Sequence, residues 1–168
     1  MSVQTYTIAE TWKGRSLRIT PVTPEERAAI VHDLTARRAF QNSKIGGSGI
    51  GHELKDWRKA ESEILGPLNC GFLVSDRSVQ LSADAVGFGE GEINIYVEPR
   101  HITICGIAAN MDAHNEPESE NVFVIRSLEL PFEIKPEEAT AHFKGRMIEM
   151  DLPTVHAMAK SAAATNAA

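Results

Sequence analysis

Apolar and polar residues change rhythm along the chain, and each rhythm predicts a different element. From residue 70 to 153 the alternation has period two and is cut by turn residues at short intervals, as in an all-β sandwich or barrel. Val79, Leu81, Ala83 and Ala85 alternate with Gln80, Ser82 and Asp84, giving one apolar and one polar face. Gly87-Phe88-Gly89-Glu90-Gly91 breaks that strand with a wide turn, after which Ile93, Ile95 and Val97 alternate with Asn94, Tyr96 and Glu98. Pro99-Arg100 supplies a tight turn into Ile102 and Ile104. Val122 to Leu130 forms the next strand and Pro131 ends it. Cys70 begins a strand; Ala139, Ala141 and Phe143 mark another; Ile148, Met150 and Leu152 mark the last. About seven strands without a helical interruption predict two antiparallel sheets packed face to face, an immunoglobulin-like sandwich.

Before residue 70 the period lengthens. Thr23, Pro24 and Glu26 are the cap, first-turn proline and capping-box acid of a helix, followed by Ala28, Ile30, Val31 and Leu34. A second helix is predicted from about His52 to Leu65, with Leu54, Trp57, Ala60 and Ile64 on one side. Neither is expected to stand alone in water, so the pair must pack on something. A short strand is predicted around Arg15 to Thr20. The expected organisation is therefore an arm over residues 1–22, a two-helix module over 23–66, the sandwich over 70–153 and an Ala-rich flexible tail over 154–168.

Composition narrows the functional classes. The chain has 168 residues, with 17 Lys+Arg against 23 Asp+Glu and a formal charge of −6, which argues against nucleic acid or an anionic membrane as the main partner. Two cysteines, Cys70 and Cys105, make neither a disulfide framework nor a zinc motif. No export signal is visible at the start, and no apolar run approaches the ~20 residues of a membrane span. The expectation is a soluble protein of a reducing compartment, the cytoplasm, without cofactor or metal.

Candidate chemistry is sparse. Ile45 to Gly51 lacks the Gly-Lys-Ser/Thr of a phosphate loop and follows a helix, so it reads as a connector. His52-Glu53 opens like a zinc-protease helix, but Asp56 stands where the second histidine belongs. Cys105 is expected to be inert, Cys70 more exposed, and Trp57 a core anchor. The acidic residues Asp112, Glu116, Glu118 and Glu120 read as a solvated face. Arg126, between Val124 and Leu128, calls for a partner carboxylate. No convergent acid, base and nucleophile emerge, so no enzyme is expected.

Several stretches nevertheless carry a resemblance. Ala83-Asp84-Ala85-Val86-Gly87-Phe88-Gly89-Glu90-Gly91-Glu92-Ile93-Asn94-Ile95 resembles the "Leu-Pro-Gly-Phe … Ile-x-Val" segment of the small heat-shock proteins, the alpha-crystallin family. Val97 to Gly106 is similar to that family's "Leu-Thr-Ile-Ser-Gly" strand. Arg126-Ser127-Leu128-Glu129-Leu130-Pro131 resembles its "Arg-Ser-Phe-x-Leu-Pro". Ala141 to Pro153 resembles its closing "Ala-x-Phe-x-Asn-Gly-Val-Leu-x-Ile-x-Leu-Pro". All four occur in the family's order over about residues 70–153. His52 to Glu61 resembles a short bacterial module of unknown function marked by "Asp-Trp-x-x-Ala-Glu", which implies no activity.

The departures matter as much. Gly145-Arg146 replaces Asn-Gly and preserves a hairpin turn; Val86 replaces proline. Residues 107–121 are fewer than in bacterial relatives, which argues against the strand exchange those relatives use to dimerise. Where larger family oligomers carry a C-terminal Ile-x-Ile/Val, residues 154–168 offer only Val155-His156-Ala157. The resemblance implies an ATP-independent holdase chaperone for unfolding client proteins, self-associating as a dimer or small oligomer. Ile93, Ile95 and Val97 on one edge and Ala139, Ala141 and Phe143 on another would line its client groove, and Arg126 would sit at a dimer interface or in a structural salt bridge. The alternative is a non-chaperone interaction module holding one specific partner.

Overall fold

The structure, a computed structural model, describes residues 16–45, 51–85, 88, 93–108 and 122–157. The glycine connector 46–50, most of the 86–92 turn, the acidic segment 109–121 and the tail beyond 157 lie outside the described residues. The chain opens with β1 (Ser16–Leu17) and β2 (Ile19–Pro21), then two helices, α1 (Pro24–Ile45) and α2 (Glu53–Ile64). Strands β3 (Leu65–Pro67), β4 (Cys70–Val74), β5 (Ser78–Asp84), β6 (Asn94–Glu98) and β7 (His101–Ile107) follow. The last three are β8 (Phe123–Glu129), β9 (Thr140–Lys144) and β10 (Met147–Pro153).

These strands form two five-stranded sheets, in the orders β1-β9-β10-β5-β4 and β2-β6-β7-β8-β3. The seven strands predicted from the period-two pattern are β4 to β10, and the fold is mainly β, a sandwich. The alternation does what it foretold: Val79, Leu81, Ala83, Ile95, Val97, Ile102, Ile104, Ile148 and Leu152 are all buried in one core. Each large aliphatic side chain so enclosed contributes roughly 1.5–3 kcal/mol. Gly145 turns the β9–β10 hairpin at φ +62°, the left-handed region the Gly-first turn requires.

Three short segments were not read correctly from the pattern. The predicted strand near Arg15–Thr20 is two strands broken at Arg18, one in each sheet. Leu65, expected to end a helix, instead starts β3. Moreover β2 runs parallel to β6 and β3 parallel to β8, so the sheets are not wholly antiparallel. All three segments belong to the flank, not to the repeat of the sandwich.

The helices cover the outer face of the second sheet. Ile64, Cys105 and Ile125 are buried together there, with Ile30, Val31, Leu34, Tyr96 and Val122 packed around them. The capping box is as predicted: the Thr23 amide donates to Glu26 Oε2 at 2.8 Å and the Glu26 amide to Thr23 Oγ1 at 3.2 Å. α1 runs for 22 residues. Its buried positions differ from the predicted stripe, because Ala28 is exposed while Thr35 and Asn42 are buried.

That displacement has a polar cause. The seam between α1 and α2 is centred on Glu63, which accepts from Arg38 Nε at 2.6 Å and Asn42 Nδ2 at 3.1 Å. Burial would raise the Glu63 pKa, but the Arg38 and Asn42 hydrogen bonds and the charges of Arg38 and Lys59 hold it below the usual carboxylate range. Trp57 is a seam residue and not a core anchor. It is half-buried, its ring lies 5.0 Å from that of His32, and its Nε1–H donates to Glu61 Oε1 at 2.9 Å. Among the described residues no helix is long and apolar enough to cross a membrane.

Candidate functional site

The sequence pointed to two strand edges, β6 and β9, and the structure brings them to the same side of the sandwich. They belong to different sheets, yet β1 pairs with β9 and β2 pairs with β6, and only Arg18 separates β1 from β2. The two edges therefore stand one above the other, and the segment 16–21 crosses the mouth between them. Its register sets Leu17 opposite Ala141, Ile19 beside Ile95 and Pro21 beside Val97. Leu17 and Ile19 are half-buried and pack against the same core that holds Ile95, Val97, Ala141 and Phe143. The Val22 amide extends the seam by donating to the Val97 carbonyl at 3.0 Å.

This corrects the expected groove. Ile95 and Val97 are 0% exposed, Ile93, Ala141 and Phe143 are also buried, and Ala139 is half-buried just before β9. These side chains form the floor of a closed mouth; they do not line an open cleft. The reason is the flank: Leu17-Arg18-Ile19, for which the sequence predicts only a strand, lays one apolar residue on each edge. Likewise β3 closes the edge of β8. Among the described residues no strand pairs with the outer edge of β4, and Leu73 on it is 66% exposed.

Beside the mouth lies a buried charge. Glu98, at the end of β6, is 4% exposed, with Arg27 Nη1 of α1 at 3.3 Å and His101 Nδ1 of β7 at 3.4 Å from its Oε2. Among the described residues no well-aligned hydrogen bond reaches that oxygen, and the Arg27 guanidinium compensates it by charge. Burial pushes the Glu98 carboxyl above its ordinary range, with Arg27 opposing and Glu25 reinforcing the shift. Burial, together with Arg27, pushes His101 down, against the pull of Glu129 across the strand pair.

Arg126 does not find a carboxylate among the described residues. Its Nη1 donates to the Ile64 carbonyl at 3.2 Å and to the Ile125 carbonyl at 3.0 Å, with the guanidinium lying over Gly66. Ile64 is the last residue of α2, so Arg126 satisfies a helix-end carbonyl and meets the negative end of the helix dipole. The expected salt bridge is thus replaced by a helix cap, a substitution that spacing within β8 could not show.

The cysteines differ as expected in exposure. Cys105 is buried and its thiol is pushed up to about 12 by burial; Cys70 is half-buried and also pushed up. Neither is a ready thiolate at neutral pH. Two cavities of about 350 and 360 Å³ flank α1 and share Leu34 and Phe123. The first is edged by Arg37, Arg38, Lys44 and Phe40, a residue 61% exposed with Lys44 Nζ 4.5 Å from its ring centroid.

No family model matches the chain, and no curated protein matches it. Solved structures similar to it include heat shock protein 16.0 from Schizosaccharomyces pombe, at 14% identity and TM-score 0.45, covering 58% of this chain and 94% of that one. A small heat-shock protein from Xylella fastidiosa matches at 15% identity and TM-score 0.41, again over 58% and 94%. The hspA protein from Xanthomonas axonopodis matches at 16% identity and TM-score 0.42, over 55% and 98%. The likeness is one of fold.

Proposed function

We propose that the chain is an ATP-independent holdase that captures extended apolar segments of unfolding proteins at the mouth between β6 and β9. The observation that carries this reading is that both edges pair with a short segment from outside the seven-strand sandwich, the chain's own residues 16–21, parallel at β6 and antiparallel at β9, over an aliphatic floor. Pairing of that kind uses main-chain hydrogen bonds for affinity and apolar side chains for selection, so it suits many clients of unrelated sequence. A captured segment leaves the pool of aggregation-prone chains, and mass action then protects the client without nucleotide. The motif resemblance over residues 70–153 points the same way. Two unpaired cysteines suit a reducing compartment such as the cytoplasm.

Thermal aggregation of a model client, followed by light scattering, tests the proposal. Suppression at an equimolar or smaller ratio of client to protein is expected, with recovery of a protein–client complex by size exclusion. Full aggregation in the presence of excess protein overturns it, and a defined complex with a single partner would favour the interaction-module reading instead.

A further inference from the structure

One stripe of α1 does not close on the second sheet. Ile30, Leu34, Arg37, Gln41 and Lys44 recur at four- and three-residue intervals and so share one side of the helix. The two cavities beside α1 lie along that stripe and meet at Leu34 and Phe123. Ile30, Leu34 and Phe123 are only half-buried, which leaves apolar surface open to water. The two ends differ in chemistry. Towards Tyr96 and Cys105 the walls are mainly apolar, whereas Arg37, Arg38 and Lys44 gather at the other end, in a chain whose formal charge is −6. We propose that this groove binds a long-chain fatty carboxylate, its head between Arg37 and Lys44 and its tail laid over Leu34 and Phe123 towards Tyr96. The site does not depend on the holdase reading.

Size and polarity select that class of ligand. Cavities of about 350 and 360 Å³ match the lower part of the ~300–1,000 Å³ range of small-molecule sites and are too small to seat a helix about 10–12 Å across. From Ile30 to Lys44 the stripe runs about 21 Å at the helical rise, the length of an extended hydrocarbon chain and not of a single ring. A nucleotide or sugar phosphate would lay polar groups without partners against Ile30, Leu34 and Phe123. A neutral lipid would leave the cations unused. Those cations are also free to engage. Arg37 Nη2 lies 3.0 Å from Asp33 in an exposed pair, and Lys44 Nζ stands over the Phe40 ring. Exposed pairs of this kind hold weakly, so an incoming carboxylate can share either cation. Arg38 differs, because its Nε donates to Glu63 and its Nη1 to Gln41; it shapes the wall and adds positive field. Cys105 behaves as a small apolar group.

The test titrates the full chain with dansyl-labelled undecanoate and displaces it with palmitate, dodecanoate, octanoate or hexadecanol, all below their micelle concentrations. Palmitate should displace the probe, with affinity falling about fourfold for every two methylenes removed, as burial in a half-open groove dictates. Hexadecanol has the same tail and no charge, and should compete about tenfold more weakly or worse. Arg37→Glu with Lys44→Glu should weaken palmitate by about tenfold and leave hexadecanol unchanged. Both side chains are exposed; if the double variant does not fold, Lys44→Ala is read for the same selective loss. Palmitate carrying a terminal diazirine should cross-link to α1, and marks absent from α1 overturn the site. So does failure of palmitate to displace the probe, equal competition by hexadecanol, or unchanged affinity in the variants. Binding to phosphatidylglycerol vesicles without binding of palmitate overturns it as well, assigning the cations to a membrane surface.

Discussion

On the sheet built from β4, β5, β9 and β10, the outward positions are Gln80, Ser82, Asp84, Thr140, His142, Lys144, Glu149 and Asp151, and water meets nearly all of them. On the sheet built from β6, β7 and β8, the outward positions include Tyr96, Thr103, Cys105 and Ile125, and α1 and α2 pack over them. The contrast is written in the burial of the strands. β5 alternates buried with open, whereas β7 is buried without interruption from Ile102 to Gly106. A strand that is apolar on both faces must be covered on both, because its outward side chains otherwise lose the hydrophobic stabilisation that a second layer supplies. The helical pair is therefore the third layer of one sheet only.

Substitution at matched outward positions gives the largest test of this contrast. Ile125→Ala should cost about 2–4 kcal/mol, whereas Gln80→Ala should stay within about 0.5 kcal/mol. Urea unfolding monitored by far-ultraviolet circular dichroism reads both, and similar costs would break the comparison. Glycines provide the next test. A Cβ on Gly106 would sit 2.6 Å from Phe88 Cδ1, while one on Gly71 of β4 meets nothing within 4 Å. Gly106→Ala should lose about 1–3 kcal/mol, and Gly71→Ala should be neutral or gain up to about 1 kcal/mol.

Carboxylates sharpen the contrast further. Glu63→Gln, in the polar helix seam, should lose about 1–2 kcal/mol at neutral pH, since its hydrogen bonds come from Arg38 and Asn42. Glu149→Gln, on the bare face beside His142 and Lys144, should lose no more than about 0.5 kcal/mol. The Glu63 pKa is lower folded than unfolded, so its stabilisation is present above the ordinary value of 4.5 and fades as pH falls through the folded value. An acid titration of unfolding free energy should show that loss in the natural chain and not in the Glu63→Gln variant.

The smallest effect has the opposite sign. The folded Glu98 carboxyl is raised above 4.5, so its charge opposes folding at neutral pH, and the cost disappears as pH falls through the folded value towards the unfolded one. Glu98→Gln should be neutral or stabilising by up to about 1 kcal/mol at pH 7, because a buried and poorly hydrogen-bonded charge is exchanged for an amide. A clear loss of stability in thermal melts would show that the Arg27 pairing outweighs the burial.

The seven strands of the sandwich were legible because each has one face in a common core, and a period of two is the direct trace of that arrangement. The α1 cap was legible for a similar reason: Thr23, Pro24 and Glu26 act on one another over three residues. Arg126 was half legible. Its place among apolar neighbours demanded a partner, but the partner is a carbonyl at the end of α2, 62 residues away in sequence. Leu17-Arg18-Ile19 was visible as an apolar-x-apolar triplet, yet nothing local marks which strands it will join. Its two apolar residues are split between two sheets, so no single strand pattern contains it.

By itself, the sequence determined which residues face inward, since alternation and capping are consequences of backbone geometry acting between near neighbours. Only the tertiary structure decided which edges are closed and by what. Edge pairing joins segments far apart in the chain through main-chain groups that every residue carries, and such groups leave no signature in the order of side chains.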